Sequence, residues 1–311
     1  MTNKEPTRNE PGPTAISAEW ARWLDCVSIG PDDQDLAEVF TRVRPQGTIA
    51  TQMKWARRWE THTFCDLALH LLYEHHIRRA PAGRTDETMI FANLEPSKLA
   101  EHASAGGFFD HTEDAEQLNP DRLRGAWGNQ PAFCQDFIAY LFRPAPYLRR
   151  LERLHPLLID ATKHLTLGEW IRHTAKTEMD SVLADPLVWL HKLFETNMPR
   201  RPEVQTYVLT LRRRRLDRWA DLYQRVFTAY CAPVREDHDG QSGWLEMAER
   251  FSMIAGGAFN RAQTRPGEIN AGPDGEMLAQ SVIDMLPAML DIGPSDIEER
   301  RINPGRADKA P

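Results

Sequence analysis

The sequence predicts an all-α fold in two parts, and three observations lead there. Apolar residues recur at steps of three and four through almost every periodic stretch. No convincing two-residue alternation appears, and the β-branched pieces TYVLT and VFTAY sit inside longer helical runs. Prolines then punctuate the chain: Pro144 and Pro146 between the two parts, Pro233 after Cys231, and a Gly/Pro/Asn loop over 263–275.

Taken in order, residues 1–13 are rich in Pro and charge and are expected to be a disordered tail. Residues 14–62 form an N-terminal helical extension. Within it DDQDLAEVF and TIATQMKWARRW read as helix, turn, helix. Arg42, Arg44, Lys54, Arg57 and Arg58 make that segment basic, with no acid between Thr41 and Trp59. Such a face suits phosphate, or equally a solvated helix docked on the acidic 110–116. Four helices are expected over 63–143: TFCDLALHLLYEHH with Leu67, Ala68, Leu71 and Leu72 inward, PSKLAEHAS opened by Pro96, LNPDRLRGAW, and QPAFCQDFIAYLF. Asn119 reads as an N-cap with Pro120 at the first helical position.

Residues 147–292 form the second part. A break at Asp185–Pro186 separates two helices, and the longest element runs from about Glu203 to Tyr230. At about 28 residues it reaches roughly 42 Å. Its apolar stripe has one gap, at Arg215, which must snorkel or pair with a carboxylate; an anionic-ligand contact is the sharper alternative. WLEMAERFSMIAGGAFN and GEMLAQSVIDMLPAML follow as two amphipathic helices, the first carrying a small-residue strip at Gly256–Gly257. A strip of that kind permits close helix packing. Residues 293–311 are again expected to be a disordered tail.

Composition narrows the classes. Of 311 residues, 27% are charged and 41% hydrophobic, an ordinary globular balance with room for a sizeable core. No run has the length of a membrane span, and the polar start MTNKEPTRNEPGP lacks the apolar core of a secretory signal, so a cytoplasmic protein is expected. Cys26, Cys65, Cys134 and Cys231 lie far apart without metal-type spacing and are expected to be reduced. The net charge of −7 points to no nucleic acid by itself, so a DNA-binding surface must be local.

The order TLGEW, ADPLVWL, NMPRRPEV, LDRWADLYQRVF, with the closing pair LEMAERFSMIAGGAFNRA and GEMLAQSVIDMLPAML, resembles the ligand-binding domain of long TetR-type transcriptional regulators. LNPDRLRGAWGNQPAFCQDFIAYLF resembles that family's recognition region, through Leu118, Asn119, Leu123, Trp127 and Phe133. The resemblance implies an N-terminal helix-turn-helix unit at 63–143 and a C-terminal helical ligand-binding and dimerisation domain at 147–292. It further implies a homodimer on double-stranded DNA, controlled by a small apolar effector of unknown identity, with no cofactor and no membrane. Leu123 and Trp127 would anchor the recognition helix. Lys98, Asn119, Arg122 and Arg124, joined by Lys54, Arg57 and Arg58, would contact DNA. Trp170, Met179, Trp189, Phe194, Met198 and Tyr207 would line the effector pocket. Phe251, Ala255, Gly256, Phe259, Val282, Met285 and Met289 would meet the second copy. The chain departs from the family at Arg124 and Gln130, where a tyrosine and a lysine are usual, and in the acidic insertion SAGGFFDHTEDAEQ. Over 59–142, thirteen acids face six bases, 6 − 13 = −7.

Two other classes stand beside this one. A helical ligand-sensing or scaffold protein without sequence-specific DNA binding fits the acidic insertion. An all-α enzyme would use His62, Asp66 and His70, which recur every four residues; histidines at that spacing can bind zinc, but no HExxH or other complete ligand set accompanies them. They read more simply as a polar helix face. Glu101, His102, Asp110 and His111 form no catalytic order either.

Overall fold

The computed structural model describes residues 16–27, 36, 38–78, 87–109, 112–198, 200–236, 241–264 and 275–302. The expected tail at 1–13 lies outside them, as does most of the 263–275 loop. Among the described residues there is no strand, only isolated bridges at Ile16–Phe109 and Val234–Leu290, and no helix is long and apolar enough to cross a membrane. The chain divides into two compact units. Unit 1 holds the chain up to Pro146 and Pro186–Leu209; unit 2 holds Tyr147–Asp185 and everything from Thr210. Residues 186–209 therefore group with unit 1 and not with the rest of 147–292.

Unit 1 contains α1 (Ala18–Val27), α2 (Ile49–Ala56), α3 (Trp59–Tyr73), α4 (Glu87–Ala92), α5 (Pro96–Ala105), α6 (Thr112–Gln117), α7 (Pro120–Trp127), α8 (Gln130–Leu141) and α11 (Pro186–Asn197). Helix α3 is central, with α1, α2, α5, α7, α8 and α11 all packed against it. A helix enclosed in this way cannot keep one wet face. Phe64 to Leu72 are all buried, and so are Glu60 and Thr61. The polar-face reading of His62, Asp66 and His70 is thereby corrected: Asp66 and His70 are only 3% and 8% exposed. Each buried polar group therefore needs a partner inside the protein.

The acidic insertion has a structural task. Phe108 is buried, its ring 4.5 Å from that of Trp20, and its carbonyl accepts from Ser17 N at 2.9 Å. The aromatic pair GFF thus fastens α1 to the body. Of the helix expected over DDQDLAEVF only Leu36 and 38–40 are described, where Phe40 N donates to Leu36 O at 2.8 Å; beyond it 41–47 is irregular, and the backbone N–H groups of Thr41 and Arg42 donate to Asp136. Short capped helices follow where expected. Asn119 Oδ1 accepts from Asp121 N and Arg122 N, and Asn129 caps α8 in the same way through Ala132 N. Gly128, at φ 77°, lets the chain leave α7 in a left-handed turn that other residues rarely adopt.

Unit 2 contains most of α9 (Ala145–Ala161), then α10 (Leu167–Ala184), the part of α12 (Pro202–Ala229) from Thr210, α13 (Gln241–Thr264), α14 (Glu276–Met285) and α15 (Pro294–Glu299). Thr166 and Glu169 close a reciprocal capping box on α10. TYVLT lies in α12, and VFTAY does so up to Ala229, as the helical period requires. The last amphipathic stretch stops early. Pro287 lacks the N–H that a longer helix needs, so α14 ends at Met285 and a single 3-10 turn follows.

The 293–311 tail is corrected in its first part, where α15 packs on α10 and α14. Ile297 is fully buried, Glu298 takes both Arg172 Nη atoms at 2.8 and 2.6 Å, and Leu167 N donates to Arg300 O. Polar composition hid one apolar anchor. Ile297→Ala is expected to cost about 2–4 kcal/mol, seen as a lower urea midpoint at unchanged slope. A change under about 0.5 kcal/mol would show that α15 is not part of the cooperative unit.

A candidate nucleic-acid interface

The exposed side of α7 and the basic segment 41–59 meet in unit 1. Leu123, Ala126 and Trp127 point into the core, leaving Arg122 and Arg124 outside at 45% and 59% exposure. Arg44 N donates to Ala126 O at 2.7 Å, which joins the segment to the last turn of α7. At the other edge Arg122 Nη1 lies 3.4 Å from Glu60 Oε1, beside Arg58 and Trp59 in sequence. The two cationic stretches, distant in the chain, are thus joined at two points.

Stacking orders part of this surface. The guanidinium carbons of Arg44 and Arg58 lie 4.2 and 4.1 Å from the centre of the Trp55 ring. Trp55 thus holds two cations at cation–π distance. Arg44 holds an unusual backbone, φ 46°, and its carbonyl accepts from Gly47 N and Gln52 Nε2. Lys54 on α2 and Arg57 just after it are exposed, and the first turn of α2 is capped by the Thr48 hydroxyl. Ile49 is 76% exposed alongside.

Beneath lies a buried joint. Asp136 of α8 is 1% exposed. Its Oδ2 accepts from Trp127 Nε1 at 2.9 Å and Arg42 N at 3.0 Å; Oδ1 accepts from Thr41 N at 3.0 Å. One carboxylate therefore ties the basic segment to the only tryptophan of α7. Burial pushes it up to about 6, against the downward pull of these hydrogen bonds, foremost that from Trp127. Deeper still, Tyr140 donates to Asp66 at 2.7 Å, while the buried Arg143 stacks on the Tyr140 ring and donates to the carbonyls of Tyr140 and Val27. Burial also pushes Asp66 up to about 6, with Arg143 and Tyr140 opposing. No motif reveals Asp136, Tyr140 or Arg143; the faint signal is that a charge interrupts the apolar run QPAFCQDFIAYLFR.

The other expected contacts are partly occupied. Asn119 is used in its cap and donates to Glu116 O; Lys98 Nζ donates to Ala92 O at 2.8 Å; Arg124 pairs with Asp121 at 2.9 Å. His62 Nε2 meets Ala56 O at 2.7 Å, and His70 Nδ1 meets His102 Nε2 at 3.0 Å within a cage of Trp20, Trp23 and Phe108. The His62, Asp66 and His70 row thus serves three separate packing contacts. Among the described residues no group of three or more His, Cys, Asp or Glu side chains is placed to hold a metal.

Burial lowers His62 to about 4, helped by Arg143 and opposed by the Ala56 hydrogen bond. Its folded-state value lies below its unfolded one of about 6.5, so its contribution to stability is complete above that pH. The contribution is lost as pH falls from 6.5 toward 4. His62→Gln should therefore flatten the acid limb of the stability profile in that window, measured by urea midpoints at successive pH. An unchanged limb would show that other groups govern it.

The expected effector and dimer residues distribute as follows. Trp170 and Met179 are buried in unit 2; Phe194 and Met198 are buried in unit 1, where Trp189 and Tyr207 are half-buried. The six thus belong to two units. Phe251, Phe259, Val282 and Met289 are buried within their own chain; Ala255, Gly256 and Met285 are half-buried. A methyl group added at Gly256 or Gly257 would meet nothing within 4 Å, and Met253 and Met277 are 59% and 53% exposed. No family model, curated protein or solved structure matches the chain.

Proposed function

We propose that the chain is a DNA-binding regulator of the TetR type, working as a homodimer. Helices α5 and α7 would serve as the helix-turn-helix, with α7 presenting Arg122 and Arg124 to the major groove. The segment 41–59 would hold the neighbouring phosphates. One observation carries this reading: the Arg44 N to Ala126 O bond, which joins the basic segment to the last turn of α7. That placement supplies local positive charge to a protein of net charge −7. The open face of α13 around Met253, Gly256 and Gly257 supports pairing of two copies. An effector entering the helical core would then alter the spacing of the two heads, which duplex geometry constrains.

A second reading, a helical ligand-sensing protein without DNA binding, is favoured by the internal use of Asn119 and Lys98 and by the Arg124–Asp121 pair. Fluorescence anisotropy on labelled duplex at rising salt separates the two. Binding should weaken steeply with salt, and light scattering should give a dimer. No binding at about 50 mM salt, where phosphate contacts are strongest, would leave the second reading standing.

A further inference from the structure

Within unit 2, charged side chains gather where three helices face one another. Arg150 stands on α9, Thr174 and Glu178 one turn apart on α10, and Arg215 on α12. Arg150 Nη1 donates to Asp185 Oδ2 at 3.0 Å, and its Nη2 lies 3.6 Å from Glu178 Oε1. The guanidinium carbons of Arg150 and Arg215 stand 4.6 and 5.6 Å from the centre of the Tyr147 ring. Arg215 donates to Ser252 Oγ at 3.0 Å, which fills the gap in the apolar stripe of α12. Two cations thus balance two carboxylates.

Hydrogen bonding in the cluster is nevertheless incomplete. Arg150 Nε and Nη2, Glu178 Oε2 and Thr174 Oγ1 are buried atoms without a hydrogen-bond partner. Such atoms are rare in folded proteins and call for a reason. Here they are complementary. The Nε–Nη2 edge of a guanidinium is the fork that accepts a carboxylate in two parallel bonds. Glu178 Oε2 is an acceptor awaiting a donor, and the Thr174 hydroxyl, on a residue 8% exposed, supplies either. Burial holds the Glu178 carboxyl above its ordinary range although Arg150 and Arg215 pull it down. The Arg150 and Glu178 side chains retain 17% and 16% exposure, so the cluster lies near the surface although the four unpartnered atoms are themselves buried.

We propose that this cluster binds a small zwitterion of the α-amino-acid type, with its carboxylate on the Arg150 edge and its ammonium on Glu178. Donor and acceptor sit on neighbouring groups of such a ligand, as they do across the 3.6 Å between Arg150 and Glu178. The site lies in unit 2 and owes nothing to DNA binding, so each idea can fail alone.

The test is calorimetric titration of the full chain with each proteinogenic amino acid, then with the N-acetyl and methyl-ester forms of any that binds. Saturable binding by at least one is expected, with loss when either charge is blocked. Thr174→Val should weaken it about tenfold, as loss of one buried hydrogen bond does. Glu178→Gln should weaken it at least as much, and its melting curve shows whether it remains folded. If Glu178→Gln does not fold, the isosteric Thr174→Val decides. No binding at about 10 mM, a concentration near the weakest useful affinities, overturns the proposal. Equal binding of blocked forms, or an unaltered Thr174→Val, does the same.

Discussion

Asp136→Ala is expected to destabilise the protein by about 3–5 kcal/mol, the range for leaving several buried polar groups unpaired. The carboxylate is 1% exposed and receives Thr41 N, Arg42 N and Trp127 Nε1. Alanine leaves Arg42 N and Trp127 Nε1 without an acceptor and Thr41 N with only its 3.2 Å bond to Val39 O, and opens a small cavity between α8 and the 41–44 backbone. Asp136→Asn keeps an acceptor oxygen and should cost less. The measurement is the urea midpoint at neutral pH, where the side chain, at about 6, is mostly ionised. A functional consequence accompanies the stability loss. With the joint gone, Arg42 and Arg44 lose their fixed place beside α7, and DNA affinity should fall further in Asn than its stability predicts. A loss under about 1 kcal/mol for alanine, less than one net hydrogen bond of this class, would mean that water replaces the carboxylate and that the joint is not structural.

The second large effect concerns charge. Replacing Arg44, Lys54, Arg57 and Arg58 together by Gln should lower duplex affinity about 100-fold or more at low salt. It should also reduce the slope of log affinity against log salt by about 3–4, near one unit per phosphate contact removed. The length and polarity of glutamine preserve most packing on Trp55, so circular dichroism should be unchanged. Arg122→Ala with Arg124→Ala should act differently: a smaller change in slope and a larger loss of discrimination between sequences, because base edges and not phosphates would be their targets. An unaltered slope in the fourfold variant would remove 41–59 from the interface. Equal slopes with no sequence preference in any variant would remove α7.

Helix positions were legible where local chemistry decides them. Pro96, Asn119 with Pro120, and the break at Asp185–Pro186 each act within one turn, and each helix begins or ends as that chemistry requires. The long α12 followed from its stripe, and its one anomaly, Arg215, found its partner in Ser252. Misreadings arose where a distant residue overrides a local pattern. At the start of the basic segment Asp136, about ninety-five positions away, takes the backbone donors at Thr41 and Arg42. GGFF resembles loop and α15 resembles tail, yet Phe108 and Ile297 are buried anchors.

The candidate interface divides in the same way. Five bases without an acid over 41–59, and two arginines on a short capped helix, can be counted in the chain. Their union cannot, since it rests on Arg44 N meeting Ala126 O and on Arg122 meeting Glu60, contacts spanning about eighty and sixty-two residues.

By itself the sequence determined that this protein is helical, where most helices start and stop, and which stretches carry charge, because capping, proline geometry and 3.6-residue periodicity act over a few residues. Only the tertiary structure decided that Asp66 and His70 are interior, that two basic stretches are joined, and that Arg150 and Glu178 face each other. Those outcomes depend on which helices enclose α3 and α10. That enclosure is set by the summed burial of many side chains, and no local pattern encodes it.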